Sequence, residues 1–156
     1  MPDAGVTIEI KGLDEAIKKL DKLGQLRKVH AGIRAAGEYI SGLMTVYPAQ
    51  TIANSSSNPS GQWYQRGWGV RYKGGGGRQT SERLDTSWSS KYDQMKFEAR
   101  IGTNVSYAMF VQGPKGTQAK ALKRIGWKGI DVIAKKETKR VGEMVFQAVK
   151  RAIDSP

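Results

Sequence analysis

Two stretches of the chain alternate apolar and polar residues with a period of two. Residues 6–11 read VTIEIK and residues 95–101 read MKFEARI, so every second side chain is apolar in each. This alternation is typical of a half-buried strand, in which successive side chains point to opposite faces. Residues 86–93, TSWSSKYD, are predicted to pair with the second stretch as a hairpin, with the turn near Asp93 and Gln94.

Two stretches in the first third of the chain carry apolar residues at helical spacing. Residues 13–23 place their acids early and their lysines late, as the helix dipole favours, and Gly24 follows as a predicted stop. A second helix is predicted from about Gln25, and Pro48 prevents it from continuing.

A third helix is predicted from about Ile130 to Ile153, and it is amphipathic. One narrow sector of it holds the apolar side chains Ile130, Ala134, Val141, Val145, Ala148 and Ala152. The opposite sector is a basic face, formed by Lys135, Lys136, Lys139 and Lys150.

Residues 48–80 show neither period. Segments of this length without regular structure are usually functional or disordered, and the aromatic residues in this one argue against simple disorder. Residues 105–113, VSYAMFVQG, fit either a short strand or a helical turn.

The order of elements predicts an α+β fold: a small antiparallel sheet packed against N-terminal and C-terminal helices, with a long central loop rich in glycine and aromatic residues. We expect a single domain over residues 1–156, with residues 48–80 as an extended, mobile assembly loop.

Charge narrows the classes of partner. The formal net charge is +12, and its excess lies in the middle and C-terminal parts of the chain. This favours a polyanionic neighbour: nucleic acid, an anionic membrane or an acidic protein surface. No segment approaches the length of apolar chain that a spanning helix needs. There is no cysteine and only one histidine, so a disulfide framework, a thiolate zinc site and an imidazole cluster are all excluded.

A search for catalytic patterns predicts no enzyme, no cofactor and no metal. The glycines of GVRYKGGGG, residues 69–77, lack the lysine and hydroxyl residue that a phosphate-binding loop needs at its end. His30 lies within the second predicted helix, where a surface histidine is the simpler interpretation. Four carboxylates could be drawn into the catalytic pair of a glycoside hydrolase, but their spacing does not mark any of them as a catalytic acid. Ion pairs with neighbouring basic residues are the simpler interpretation. The four carboxylates are Glu82, Asp85, Asp93 and Glu98.

The aromatic and arginine residues of the central loop have two interpretations. Their rings could stack on nucleic acid bases while the arginines meet phosphate. The same residue types are enriched at protein interfaces, where the rings are buried in a partner. Composition leaves both possibilities open.

A resemblance favours the second interpretation. Residues 64–91, YQRGWGVRYKGGGGRQTSERLDTSWSSK, and residues 99–113, ARIGTNVSYAMFVQG, resemble the tail-completion and head-to-tail joining (neck, minor tail) proteins of long-tailed bacteriophages. The matching residues are Leu84, Ser87 and Trp88, then Ile101, Gly102 and Thr103, then Tyr107, Ala108, Val111 and Gly113. The order of elements agrees over residues 12–153. One position departs from the family pattern. Many relatives have an acidic residue before the last glycine of the motif, and this chain has Gln112 there. The expected consequence is a different salt-bridge partner across subunits.

The resemblance implies a structural virion protein without catalysis or cofactor, assembled in the host cytoplasm. Its subunits would form a ring at the head-tail junction or the head-proximal end of the tail, a hexamer ahead of a dodecamer. The expected partners are further copies of itself, a tail terminator, tail tube or connector/stopper protein, and DNA in the channel, but no membrane. The alternative function is a basic nucleic-acid-binding module that uses the aromatic and arginine loop.

The prediction assigns residues to three groups. The subunit-interface candidates are Trp63, Tyr64, Arg66, Trp68, Arg71, Tyr72, Leu84 and Trp88, with Trp63, Trp68, Tyr72 and Trp88 as anchors and Gly74 to Gly77 as the hinge. The motif core, expected to complete the protomer, is Ile101, Gly102, Tyr107, Ala108, Phe110, Val111 and Gly113. The third group is the basic helix face, Lys135, Lys136, Lys139 and Lys150.

Overall fold

The computed structural model describes residues 12–20, 23–81 and 83–154. Within them the fold is α+β, as predicted, with two separate two-stranded antiparallel sheets. The strand predicted over residues 6–11 lies outside the described residues. None of the described helices is long and apolar enough to cross a membrane.

The first two helices differ from prediction at their junction. Helix α1, Leu13–Lys18, ends before Gly24, because the amides of Lys19 and Leu20 bond to the carbonyls of Ala16 and Ile17 and close the last turn. Helix α2, Leu23–Met44, already contains Gly24, so this glycine does not stop the first helix. The side chain of Leu20 is buried and joins the core.

Helix α2 forms the centre of the molecule together with the last helix, α6, Ile130–Ile153. The bounds of α6 are those predicted, and all six residues of its predicted apolar sector are buried. The two helices approach closely at Gly32, where an added Cβ would overlap the Cβ of Ala148. This crossing builds most of the hydrophobic core.

The hairpin predicted over residues 86–101 is confirmed, but its second strand begins at Glu98 and not at Met95, which is 91% exposed in the turn. Strands β3, Ser89–Asp93, and β4, Glu98–Gly102, pair antiparallel and pack against α2. We call residues 89–102 the core hairpin. Its turn is closed by Asp93, whose Oδ1 accepts the amides of Met95 and Lys96 at 3.0 and 3.2 Å.

The central segment is more regular than predicted. A 3₁₀ turn, Ile52–Asn54, is followed by β1, Gln62–Gln65, and β2, Gly69–Tyr72, which pair antiparallel. We call residues 62–72 the aromatic hairpin. Its strands show no apolar alternation because the outward face carries Trp63 and the inward face carries the polar Gln62.

Short helices join these units. They are α3, Leu84–Ser87, α4, Ala108–Gln112, and α5, Lys120–Arg124. The stretch that fitted either a strand or a helical turn is therefore helical, since α4 falls within it.

Candidate interaction surface

Two buried asparagines fold the chain that leads into the aromatic hairpin. Asn54 is fully buried, and its Oδ1 accepts the backbone amide of Tyr64 in β1. Its Nδ2 donates to the carbonyl oxygen of Ala49 at 3.3 Å. Asn58 donates from Nδ2 to the carbonyls of Ala53 and Gln62. These side chains satisfy backbone groups that no sheet or helix satisfies, so the segment has one defined path.

The register of the hairpin gives it two different faces. Tyr64 lies opposite Val70, and both pack against the protein core. Trp63 lies opposite Arg71 on the other face. The outer face is completed by Trp68 in the turn, which is 46% exposed. Tyr72 is 48% exposed, but it shares the face of Tyr64 and Val70, at the open end of the hairpin. The Arg71 guanidinium stands 5.4 Å from the centre of the Trp68 ring.

The four glycines after β2 form a turn that returns the chain along the hairpin. Gly75, Gly76 and Gly77 all have positive φ, a conformation that other residues rarely adopt. An added Cβ at Gly77 would lie 2.8 Å from Cδ of Arg71. Further on, the amide of Thr80 donates to the carbonyl of Gly67 at 3.0 Å. The glycine run was predicted as a hinge. In the structure it forms a turn whose backbone conformation requires glycine.

The inner face of the hairpin is fixed by three aromatic rings. Tyr47, Tyr64 and Trp127 contact one another pairwise, with ring centroids 5.1–5.5 Å apart. Arg66 lies over the Tyr47 ring at 4.9 Å and forms an ion pair with Asp85 at 2.8 Å. Tyr64 and Arg66 therefore serve contacts within the protomer, although both were predicted at a subunit interface.

Beside these rings lies a pocket of about 330 Å³, which we call the aromatic pocket. One wall is the aromatic hairpin with Val70, and the opposite wall includes Leu122 of α5. The lining also includes Tyr47, Tyr64, Leu84 and Trp127. It is almost wholly apolar, so it suits a hydrocarbon or aromatic group better than a polar one.

Two predicted interface residues are buried in the protomer. Leu84 is 3% exposed and Trp88 is 7% exposed. The Trp88 Nε1–H donates to Oε1 of Gln112 at 3.0 Å, and the Gln112 amide donates to the carbonyl of Met44 at 2.9 Å. Trp88 is thus an anchor within the subunit, because its polar atom needs this internal partner. Gln112 is also buried, so the expected contact across subunits at this position is not available.

The predicted motif core is only partly in the core. Ile101, Ala108 and Gly113 are buried, and Gly102 and Val111 are half-buried. An added Cβ at Gly113 would overlap the carbonyl oxygen of Met109, so the glycine is required by packing.

Two members of that group lie outside the core, contrary to prediction. Phe110 is 62% exposed and Tyr107 is 37% exposed. The reason is that α4 is little more than one turn long and only one of its sides faces the core. The Tyr107 hydroxyl lies 3.2 Å from the Ser81 hydroxyl.

The basic face of α6 lies where the spacing placed it. Lys135, Lys136, Lys139 and Lys150 are all exposed. Lys136 lies 4.0 Å from a carboxylate oxygen of Glu137, while the other oxygen of Glu137 accepts from the Tyr39 hydroxyl at 2.7 Å.

The described carboxylates once considered as catalytic pairs have structural partners. Asp85 binds Arg66, Asp93 closes the core-hairpin turn, and a hydrogen bond from Arg100 lowers the pKa of Glu98. His30 contacts the Tyr92 hydroxyl and stacks on Phe97. Burial, followed by the charge of Arg34, lowers the pKa of His30. Within the described ranges no three histidine, aspartate or glutamate side chains are grouped to hold a metal ion.

Sequence reasoning missed the residues that build this surface. Asn54 and Asn58 lie in a polar run, where such residues usually indicate an exposed turn. Trp127, far from the loop in sequence, gave no signal that it would complete the aromatic cluster. No protein-family model, curated protein or solved structure matches the chain.

Proposed function

We propose that the protein is a structural component of a phage particle, a ring subunit at the head-tail junction or the head-proximal end of the tail. The outer face of the aromatic hairpin is its docking arm toward a neighbouring subunit or ring. A closed ring needs a heterologous interface, in which two different patches of each subunit meet. A hexamer is favoured over a dodecamer, and the basic face of α6 is the surface available to DNA in the channel.

The observation that carries the proposal is a firmly held hairpin with an uncovered aromatic face. Its inner side is fixed by Asn54, Tyr64 and the cluster around Trp127. Its outer side holds Trp63, Arg71 and Trp68, and Trp68 is nearly half exposed with the Arg71 guanidinium 5.4 Å from its ring centre. Tryptophan, tyrosine and arginine are the residues that contribute most to protein interfaces. A rigid arm also binds with a smaller loss of conformational entropy than a disordered loop.

Location in the particle tests the proposal. Immunogold electron microscopy of purified particles from the source, with an antibody to this protein, should place gold at the head-tail junction only. Particles that carry no label and contain none of the protein by mass spectrometry would overturn the proposal.

A matched pair of variants tests the arm itself. Trp68→Ala removes a ring that is largely outside the core, so the isolated protein should stay folded while particles fail to complete their tails. Met95→Ala is the control, because Met95 is 91% exposed at the tip of the other hairpin. Circular dichroism reports the fold, and counts of tailed particles report assembly. A Trp68→Ala protein that is unfolded in isolation would contradict the assignment of the arm.

A further inference from the structure

The aromatic pocket combines an apolar interior with a basic neighbourhood. Its volume of about 330 Å³ is enough for a large side chain. The hairpin wall and the α5 wall come from two parts of the chain that lack acidic residues, between Glu38 and Glu82 and between Glu98 and Asp131. Those two stretches meet at the contact between Tyr64 and Trp127, whose ring centroids are 5.1 Å apart.

Exposed cations adjoin the lining residues on the α5 side of the pocket. Lys123 follows Leu122 in α5. Lys123 is exposed, as is Lys128, which follows Trp127. Two acids follow lining residues in sequence: Glu82 follows Ser81, and Asp85, which follows Leu84, is held by Arg66. The positive side of the pocket is therefore the α5 side, with Lys123 and Lys128, and a partner that meets it should be negative there.

We propose that the aromatic pocket binds a segment of a different protein, in which one large apolar side chain stands between acidic residues. The apolar side chain fills the pocket, and the flanking carboxylates meet Lys123 and Lys128. The inference rests on the proposed function in one respect, that the partner is a neighbouring virion protein. The binding chemistry itself does not depend on where the protein is found.

Two other occupants fit less well. A nucleobase would need hydrogen-bonding groups inside the pocket, and its lining is almost wholly apolar. A second copy of this chain is a poor source of acidic segments, because the chain carries a formal charge of +12. Met95, the most exposed large apolar side chain among the described residues, lies near Lys91, Lys96 and Arg100 in sequence as well as near acids.

Titration of the full-length protein with a short synthetic peptide tests the inference. The peptide carries one phenylalanine between acidic residues, and the matched peptide carries alanine in its place. In ¹H–¹⁵N spectra the signals of Val70, Leu122 and the Trp127 indole N–H should shift and saturate with the phenylalanine peptide. The alanine peptide should bind about tenfold or more weakly, because the pocket then buries much less apolar surface.

A charge-reversal pair separates the pocket from general attraction to a basic protein. The Lys123→Glu substitution, next to the pocket, should lower the affinity for the phenylalanine peptide about fivefold. Lys91→Glu, exposed on the core hairpin, is the control and should weaken it less. Equal binding of the two peptides would overturn the inference, as would the absence of saturable shifts at about millimolar peptide. Tighter binding of a short oligothymidine with the same shifts would assign the pocket to nucleic acid instead. None of these results bears on where the protein lies in the particle.

Discussion

The two hairpins of this protein have the same topology but are stabilised in different ways. The core hairpin lies on α2, and its buried Ile101 ties it to the protein interior, as does the hydrogen bond to Gln112 from Trp88, the residue just before it. The aromatic hairpin pairs by the same antiparallel rule, yet its chain path is set by hydrogen bonds from Asn54 and Asn58. The core hairpin is held chiefly by apolar packing, and the aromatic hairpin by hydrogen bonds from side chains to the backbone and by three aromatic rings in tilted and edge-to-face contact.

The difference follows from what each hairpin packs against. A hairpin that buries one face against a helix is stabilised by the area it removes from water. The aromatic hairpin instead packs its inner face on the rings of Tyr47 and Trp127, and the buried polar side chains of Asn54 and Asn58 help to hold it in place. Such side chains stabilise strongly when all are satisfied and weaken the structure when one is removed. An arm for docking can therefore be rigid without belonging to the core.

The largest expected effect comes from Asn54→Ala. The change leaves the Tyr64 amide without its acceptor and the Ala49 carbonyl without its donor, both near a fully buried position. We expect the free energy of opening the aromatic hairpin to fall by about 2–3 kcal/mol. Amide exchange at Tyr64 and Val70 should accelerate roughly thirtyfold or more, since each 1.4 kcal/mol is about a factor of ten.

Asn104→Ala is the matched control for this change. Asn104 is exposed, so its substitution should leave amide exchange in both hairpins unaltered. The core hairpin should keep its exchange rates in the Asn54 variant as well. Equal acceleration in both hairpins would show that they open as one unit and would contradict the distinction drawn between them.

The next effect, on the core hairpin, comes from Gly37→Ala. An added Cβ would overlap Oγ of Ser90 and lie 2.8 Å from Cβ of Ala99, so α2 and the hairpin must separate. Overpacking of this kind lowers the free energy of unfolding by about 1–3 kcal/mol. The better helix propensity of alanine returns about 1 kcal/mol of it. Urea denaturation should therefore show a net loss of up to about 2 kcal/mol.

Gly42→Ala, in the same helix, is the control for propensity. Nothing lies within 4 Å of its added Cβ, so this variant should gain about 0.5–1 kcal/mol. A Gly37 variant as stable as the Gly42 variant would mean that the core hairpin does not need this close approach.

The contrast between the two hairpins also explains which elements could be predicted from the sequence. Apolar spacing predicted α6 to the residue and the core hairpin with its turn at Asp93, because these elements bury a repeating face. The aromatic hairpin has no such face in its sequence. Its stability depends on Asn54, Asn58 and Trp127, whose roles appear only when distant parts of the chain meet. Trp88 and Leu84 were assigned to an interface for a related reason, since composition does not distinguish an internal anchor from an external one.

The smallest effect concerns pH and only the core hairpin. His30 of α2 contacts the Tyr92 hydroxyl, stacks on Phe97 and lies near Arg34. Burial, with the charge of Arg34, lowers the pKa of His30 from its ordinary value of 6.5. The unfolded chain therefore binds a proton more readily than the folded one. Stability is fully present above pH 6.5 and falls as the pH drops through that value toward the folded pKa.

Urea midpoints between about pH 7.5 and 5.5 measure this loss, a window in which histidine is the side chain that titrates. The His30→Gln variant should show a flatter profile, because it lacks the titrating ring. After correction for the intrinsic exchange rate, amide exchange in the core hairpin should accelerate as the pH falls. Exchange in the aromatic hairpin, which contains no histidine, should not change. If the wild-type protein instead gained stability on acidification, the environment of His30 would favour its charged form. The stacked contact with Phe97 would then not be what attaches this hairpin to α2.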